Sequence, residues 1–373
     1  MIPEMLPNRN TFLQINLGAL AHNYSFLRSR LNPETKLLCV VKAFAYGSEA
    51  VAIAKKLEDL GADYLAVAFV DEGITLRKAG IRLPILVFHP QLSGLDALMR
   101  YQLEPSLYNR SVFNAFLERT RALNDTSIPV HIKFNTGLNR LGFGMQDLDW
   151  LIQTVKSHPK LRLASVYSHL AASDDLNERD FTQKQIQSFR TILESFLPEL
   201  PVKPLIHLLN TSGILNFPEA QFNMVRTGIG LHGFSNNPEI DSLLRPVSCL
   251  LTRISQLHHI APGQWVGYNK GFVAQKEMVT ATLPLGHADG IGRIFGHGNA
   301  QFLIRGQMAP TVGNICMDMT MIDVSHLDCK EGDRVEFFGF QHKASEQAEN
   351  AGTISYELIT GISQRVARQI LDS

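Results

Sequence analysis

Eight short apolar runs, each followed by a stretch with helical spacing, constrain the fold of this chain more than any other feature. They are KLLCVVK, YLAVAFV, PILVFH, LEPSLY, IPVHIKF, LASVYSHL, PLIHLL and QFNMVRT. A strand that is apolar on both faces needs cover on both, the habit of parallel sheets flanked by crossover helices. Amphipathic segments such as EAVAIAKKLEDLG and TQKQIQSFRTILESFL supply that cover. Eight strand–helix units predict a closed (β/α)8 barrel running from about Phe12 to Leu244.

From Arg245 the pattern changes to alternating strands with turn signals: LLTRISQLHHI, EMVTATLPLG, QFLIRGQMAPTVG, TMIDVS and DRVEFFGF. The fold class is therefore α/β, a barrel over 12–244 followed by a mainly antiparallel β domain over 245–373, with residues 1–11 expected to add an N-terminal strand to the second domain. The closing TISYELITGISQRVARQIL has helical apolar spacing, with Ser355 as its expected cap.

A chain of 373 residues exceeds one ordinary compact domain, which agrees with that division. Lys plus Arg and Asp plus Glu are both 35, so no net field favours nucleic acid or an anionic membrane, and a small-molecule partner is expected. The first residues, MIPEMLPNRNTFLQ, carry charges and prolines where an export signal needs an apolar stretch. No run of about 18 apolar residues is present. The cysteines Cys39, Cys249, Cys316 and Cys329 lack disulfide-like spacing, so reduced thiols in a cytoplasmic protein are expected.

Barrels of this kind gather function at the C-terminal ends of their strands. There the sequence places Lys42, Lys133, Asn135, Arg140, His169, His207, Asn210 and Arg226. One such side chain is ordinary; several cations converging on one mouth point to an anionic ligand. GIGLHG, Gly228 to Gly233, matches a dinucleotide fingerprint in form, but it follows the last barrel strand and lacks the acid about 20 residues on. Glycines there suit a phosphate held by backbone N–H groups. No HExxH, P-loop or GxSxG occurs, and no metal site is expected at His258 and His259. A strand-end lysine, nearby arginines and a phosphate cup favour a cofactor that carries a phosphate and attaches as a Schiff base.

The segment VKAFAYG, Val41 to Gly47, resembles the cofactor-lysine motif of alanine racemases, and HIKFNTGLNRLGFG, VYSHLAAS, HLLNTSG, NMVRTGIGLHG, VGYNKGF, LGHADGIGR, VGNICMDMTMIDV and TISYELITGISQRVAR agree with that family in order and spacing. The resemblance implies an isomerase that uses pyridoxal 5'-phosphate to interconvert L- and D-alanine for peptidoglycan. It implies that Lys42 carries the cofactor, that Tyr46, Thr211, Gly228, Ile229 and Tyr356 surround its phosphate, and that Arg226, oriented by His169, faces its ring nitrogen. Arg140 falls near the cofactor's phenolic oxygen and the substrate carboxylate, with Lys133, a carbamylation position, beside it. Lys42 and Tyr268 correspond to the two bases, while Met317 and Asp318 correspond to substrate-pocket residues; Tyr268 and Met317 come from the second subunit of a head-to-tail homodimer.

Phe44, Asn135, Thr211, Thr227, His232, His287 and Asn314 depart from the usual family residues, the last two at the approach to the substrate pocket. The alternatives are a racemase of broader specificity, serine included, and a related decarboxylase, against which VRTGIG and CMDM argue. A single-barrel cofactor carrier lacks the second domain. In some bacteria the racemase unit is the rear half of a fusion with a cell-wall ligase, a context the sequence leaves open.

Overall fold

The computed structural model describes residues 10–121, 128–235 and 237–372. Strand β1 (Phe12–Asn16) is followed by β2 (Lys36–Val40), β3 (Tyr64–Val67), β4 (Ile85–Val87), β5 (Glu104–Leu107), β6 (Pro129–Lys133), β7 (Arg162–Tyr167), β8 (Leu205–His207) and β9 (Met224–Thr227). Strands β2 to β9 close a parallel barrel in chain order, with β9 pairing back onto β2. Each of the eight apolar runs falls on one barrel strand, and only β7 starts outside its run, one residue earlier at Arg162. The crossover helices turn apolar stripes inward: Ala50–Asp59 buries Ile53, Ala54 and Leu57, and Glu49 caps its start by accepting from the N–H groups of Val51 and Ala52.

The rest is antiparallel apart from its last strand: β10 (Ser248–Arg253), β11 (Gln256–Ile260), β12 (Trp265–Val266), β13 (Phe272–Val273), β14 (Met278–Leu283), β15 (Gln301–Ile304), β16 (Gln307–Pro310), β17 (Thr320–Asp323), β18 (Arg334–Phe338) and β19 (Ala367–Leu371). They form a six-stranded sheet in the order β16-β15-β18-β10-β1-β19, a three-stranded sheet β11-β14-β17 and the ribbon β12-β13.

Two expectations need correction. Phe12 does not open the barrel: β1 runs antiparallel to β10 and parallel to β19, and the barrel begins at Lys36. FLQIN buries its three central residues, so it looks like a barrel strand until its partner, more than 230 residues away, is in place. The terminal segment is not one helix, because helix ends at Thr360, Gly361 follows, and ARQIL is strand β19. Ser355 is the first helical residue of that short helix rather than its cap, and Ile354 stands in the cap position without a side-chain bond. The expected strand within residues 1–11 falls almost wholly outside the described residues.

One apolar core runs from the barrel wall into the six-stranded sheet, joining Leu65, Ile132 and Val225 to Leu13, Leu250 and Phe337. No helix among the described residues is long and apolar enough to cross a membrane. The four cysteines are free, and Cys39 and Cys249 are buried.

Candidate active site

The chain leaves β2 at Val40 and turns in an uncommon way. Ala43, Phe44, Ala45 and Tyr46 take φ values of 52°, 55°, 51° and 56°, a left-handed turn that places Lys42 at its start. L-residues avoid this region, so the turn needs support from outside. Glu72 provides some: its carboxylate accepts from Ala43 N at 2.6 Å and from Ala68 N and Phe69 N at 2.7 and 3.0 Å. Gly47 closes the turn at φ 78° against the backbone of Ile359 and Thr360, where a Cβ would overlap the Ile359 carbonyl. Arg368 of β19 then reaches back, donating to the carbonyls of Gly47 and Ser48 at 2.8 and 3.2 Å and to those of Ile362, Ser363 and Val366.

A cavity of about 390 Å³ opens at the C-terminal end of the barrel. Lys42, Tyr46, Lys133, Arg140, His169, Thr211, Arg226, Gly228, Ile229 and Tyr356 line it, so ten of the expected residues meet in one place. His89 and Tyr167 also line it and were not foreseen. Among the described residues no aspartate or glutamate belongs to this lining, whereas four cations do. Burial and the Arg140 charge hold the Lys42 amine below its usual range. Burial, together with Arg140, Arg226 and Lys42, lowers Lys133 to about 8.

Arg226 is buried and held on several sides. Its guanidinium donates to the carbonyls of Ser168 and Leu208 at 2.8 and 2.7 Å, to His207 Nδ1 at 2.8 Å and to His169 Nδ1 at 3.1 Å. It also stacks over the Tyr167 ring, 5.3 Å from the centroid. Burial lowers it to about 10, which leaves it charged at neutral pH. Burial and the adjacent Arg226 push both histidines well below the usual imidazole range, so each faces the guanidinium as a neutral acceptor. His207, one of the strand-end residues but not one to which the family resemblance gives a role, is thus a direct partner of Arg226.

Beside these cations lies a cup. Thr211 Oγ1 accepts from the N–H groups of Gly228 and Gly230 at 3.3 Å, and a Cβ on Gly228 would overlap the Tyr46 hydroxyl. The Tyr46 and Tyr356 rings lie 6.1 Å apart, and burial raises both hydroxyls, which keeps them protonated as donors. Backbone N–H groups, two phenols and a hydroxyl next to four cations suit a phosphate-bearing aldehyde cofactor whose carbonyl carbon takes an amine.

Tyr268, Met317 and Asp318 are not part of this lining. Tyr268 sits on a loop where Gly267, Asn269 and Lys270 have φ of 77°, 55° and 49°, and Asn314 Nδ2 donates to its carbonyl at 3.2 Å. Arg293 in turn donates to Asn314 Oδ1 at 2.6 Å. The Asp318 carboxylate pairs with Arg365 at 2.7 Å, and Arg365 also holds Asp289.

Comparison with known proteins agrees with this geometry. A family model for the "Alanine racemase, N-terminal domain" matches residues 15–236, and one for the "Alanine racemase, C-terminal domain" matches 247–370. The alanine racemase of Nostoc sp. is 37% identical, the match covering 97% of this chain and 96% of the relative. The solved alanine racemase of Clostridium difficile 630 superposes with a TM-score of 0.91 at 31% identity, covering 98% of this chain and 96% of its own. That of Bartonella henselae, with covalently bound pyridoxal phosphate, has a TM-score of 0.88 at 27% identity, covering 97% and 99%. Matched along nearly its whole length by both domain models and by these relatives, the chain belongs to the alanine racemase family of pyridoxal-phosphate-dependent isomerases.

Proposed function

We propose that this chain interconverts L- and D-alanine, with Lys42 and Tyr268 as the bases on opposite faces of the substrate. The observation that carries this reading is the set of four cations, Lys42, Lys133, Arg140 and Arg226, around one cavity whose lining has no carboxylate. Such a mouth is completed by anions, here the cofactor phosphate and phenolic oxygen and the substrate carboxylate. Tyr46, Thr211, Gly228, Ile229 and Tyr356 would hold the phosphate, Lys42 would carry the aldehyde carbon, and Arg226 would face the ring nitrogen. When bound, pyridoxal phosphate acidifies the Cα proton of an amino acid by delocalising the charge left behind.

The protein's own groups do the rest. Lys42, held below its usual range by burial and Arg140, has a larger neutral fraction with which to take a proton. Arg226 stays protonated and donates without giving its proton away, so the cofactor remains a modest electron sink and prompt return of the proton is favoured over competing reactions. His169 orients Arg226, and Arg140 pairs with the substrate carboxylate.

Tyr268 and Met317 reach the cavity of a second copy in a head-to-tail homodimer, with Asp318 an acidic neighbour of that substrate pocket, and Lys133 is carbamylated, its new anion pairing with Arg140. We read two working units meeting near Leu244 and Arg245, in a cytoplasmic protein that supplies D-alanine for peptidoglycan. The test is racemisation of an amino-acid panel, serine included, with added pyridoxal 5'-phosphate. Turnover of alanine is expected to dominate, and its absence, with another amino acid racemised instead, would overturn the substrate assignment.

A further inference from the structure

Behind Arg226 a chain of buried polar groups continues through the barrel. His207 Nε2 lies 2.8 Å from Ser165 Oγ, Ser165 Oγ lies 2.6 Å from His131 Nδ1, and His131 Nε2 lies 2.8 Å from a carboxylate oxygen of Glu104. Arg226 sits near the C-terminal end of β9, whereas Glu104 is the first residue of β5, so the chain passes from the floor of the cavity to the opposite end of the barrel. His131, Ser165 and His207 are fully buried, and Glu104 is nearly so. A register shift between Val130 and His131 in the β6–β7 pair sets Ser165 opposite His131 and thereby joins the two halves of the chain.

The direction of every bond follows from one end. A guanidinium only donates, so the His207 nitrogen 2.8 Å from Arg226 must offer a lone pair. Neutral His207 then carries its proton on Nε2 and gives it to Ser165. The single Ser165 proton is left for His131 Nδ1, which forces the His131 proton onto Nε2, where the Glu104 carboxylate accepts it. The reverse order would set two N–H groups against each other at Arg226, an expensive arrangement in a dry core. Glu104 lines a cleft of about 560 Å³ at the far end of the barrel with Arg77, whose guanidinium is itself engaged by the carbonyls of Tyr101, Ile81, Leu83 and Gln102.

We propose that Glu104, His131 and Ser165 are positioning residues: acting through His207 from the opposite end of the barrel, they hold that ring with Nδ1 turned to Arg226 and so fix the place and orientation of the guanidinium at the cavity floor. The inference rests on the function proposed above. The relay is a polarised string rather than a proton conduit, since Arg226 releases no proton into it. The donor at the Arg226 end sets which way the string reads, and the acceptor at the Glu104 end completes it, so each ring has a partner at both nitrogens.

The test is ring 15N NMR of the histidine-labelled full-length protein with pyridoxal 5'-phosphate, in parallel with racemisation kinetics. His131 and His207 are each expected as a single Nε2–H tautomer. In Glu104→Leu and in the smaller change Ser165→Ala the string behind His207 loses a partner, so the His207 Nδ1 resonance is expected to move as its hydrogen bond from Arg226 loosens, and kcat to fall about 10- to 100-fold with KM little changed. Glu104→Gln, which keeps an acceptor oxygen, is expected to restore both. A proton on His207 Nδ1 in the unaltered protein would overturn the proposal without any variant; so would an unchanged His207 Nδ1 resonance in both Glu104→Leu and Ser165→Ala. If the tautomers stand as stated while the unaltered protein racemises nothing, the relay survives and the proposed function falls. Racemisation with the opposite tautomer would sink the relay alone.

Discussion

At the barrel mouth Lys133 and Arg226 are 7% and 3% exposed and crowd together as cations, whereas in the β domain Tyr268 and Met317 stand 70% and 59% exposed. The first region is fixed in shape but incomplete in charge. Lys133 lies 5.8 Å from the Tyr167 ring centroid, Arg226 is bonded to two histidines and two carbonyls, and no lining carboxylate offsets them. The second has its acids paired but is incomplete in cover: Asp318 and Asp289 share Arg365, while Trp265, Tyr268, Met317 and Met319 are exposed. A buried surplus of charge asks for a ligand; an exposed set of large side chains asks for a surface. The proposed homodimer answers both, because each loop would cover the cavity of the other copy.

Breaking the barrel side costs most. Lys42→Ala removes both the cofactor's attachment and one base, so racemisation is expected to drop about 10⁴-fold or more and the visible absorbance of the purified protein to disappear. An unchanged absorbance band would remove Lys42 from its role. Breaking the β-domain side is expected to be one-sided: Tyr268→Phe should reduce solvent-deuterium exchange at Cα of L-alanine by about 10²- to 10⁴-fold while exchange of D-alanine partly survives. Equal losses for the two enantiomers would count against separate faces.

Mixing the two variants sharpens the comparison, since a heterodimer of Lys42→Ala and Tyr268→Phe protomers has one intact site. Random pairing should return roughly a quarter of unaltered activity. Verified heterodimers no more active than either parent would place both bases on one chain.

The smallest effect concerns charge alone. The folded value of Lys133, about 8, lies below the reference of about 10.4. The native state therefore disfavours the charged amine, fully so below pH 8 and progressively less as pH rises to about 10.4. In bicarbonate-free buffer the urea midpoint of the unaltered protein should gain on that of Lys133→Met across this interval. A constant difference would show that the surrounding cations do not act on Lys133 as described.

The barrel strands were legible because Leu37, Leu38, Leu65, Leu86 and Val130 are buried on whichever face they point to, a local pattern that needs no partner. The cavity residues were legible because strand ends locate them. β1 and β19 were not, because their character lies in a pairing across almost the whole chain. Glu72 reads as an ordinary acid in a helix's first turn until Ala43 N is found against it. His131 and Ser165 lie mid-strand, where a polar residue looks like an interruption of the core, and the register shift that joins them leaves no mark in the sequence.

The left-handed turn after Lys42 bears on when the reactive amine comes into being. Four consecutive L-residues in that conformation cost roughly 4–8 kcal/mol before compensation, at about 1–2 kcal/mol each. The compensating contacts come from Glu72 nearby but also from Ile359, Thr360 and Arg368, which leave the ribosome long after the turn itself. A nascent barrel holding Lys42 but lacking the segment from Ile359 to Arg368 has neither the wall for Gly47 nor the guanidinium for its carbonyl. The amine is thus presented in working geometry only once the segment from Ile359 to Arg368 has docked.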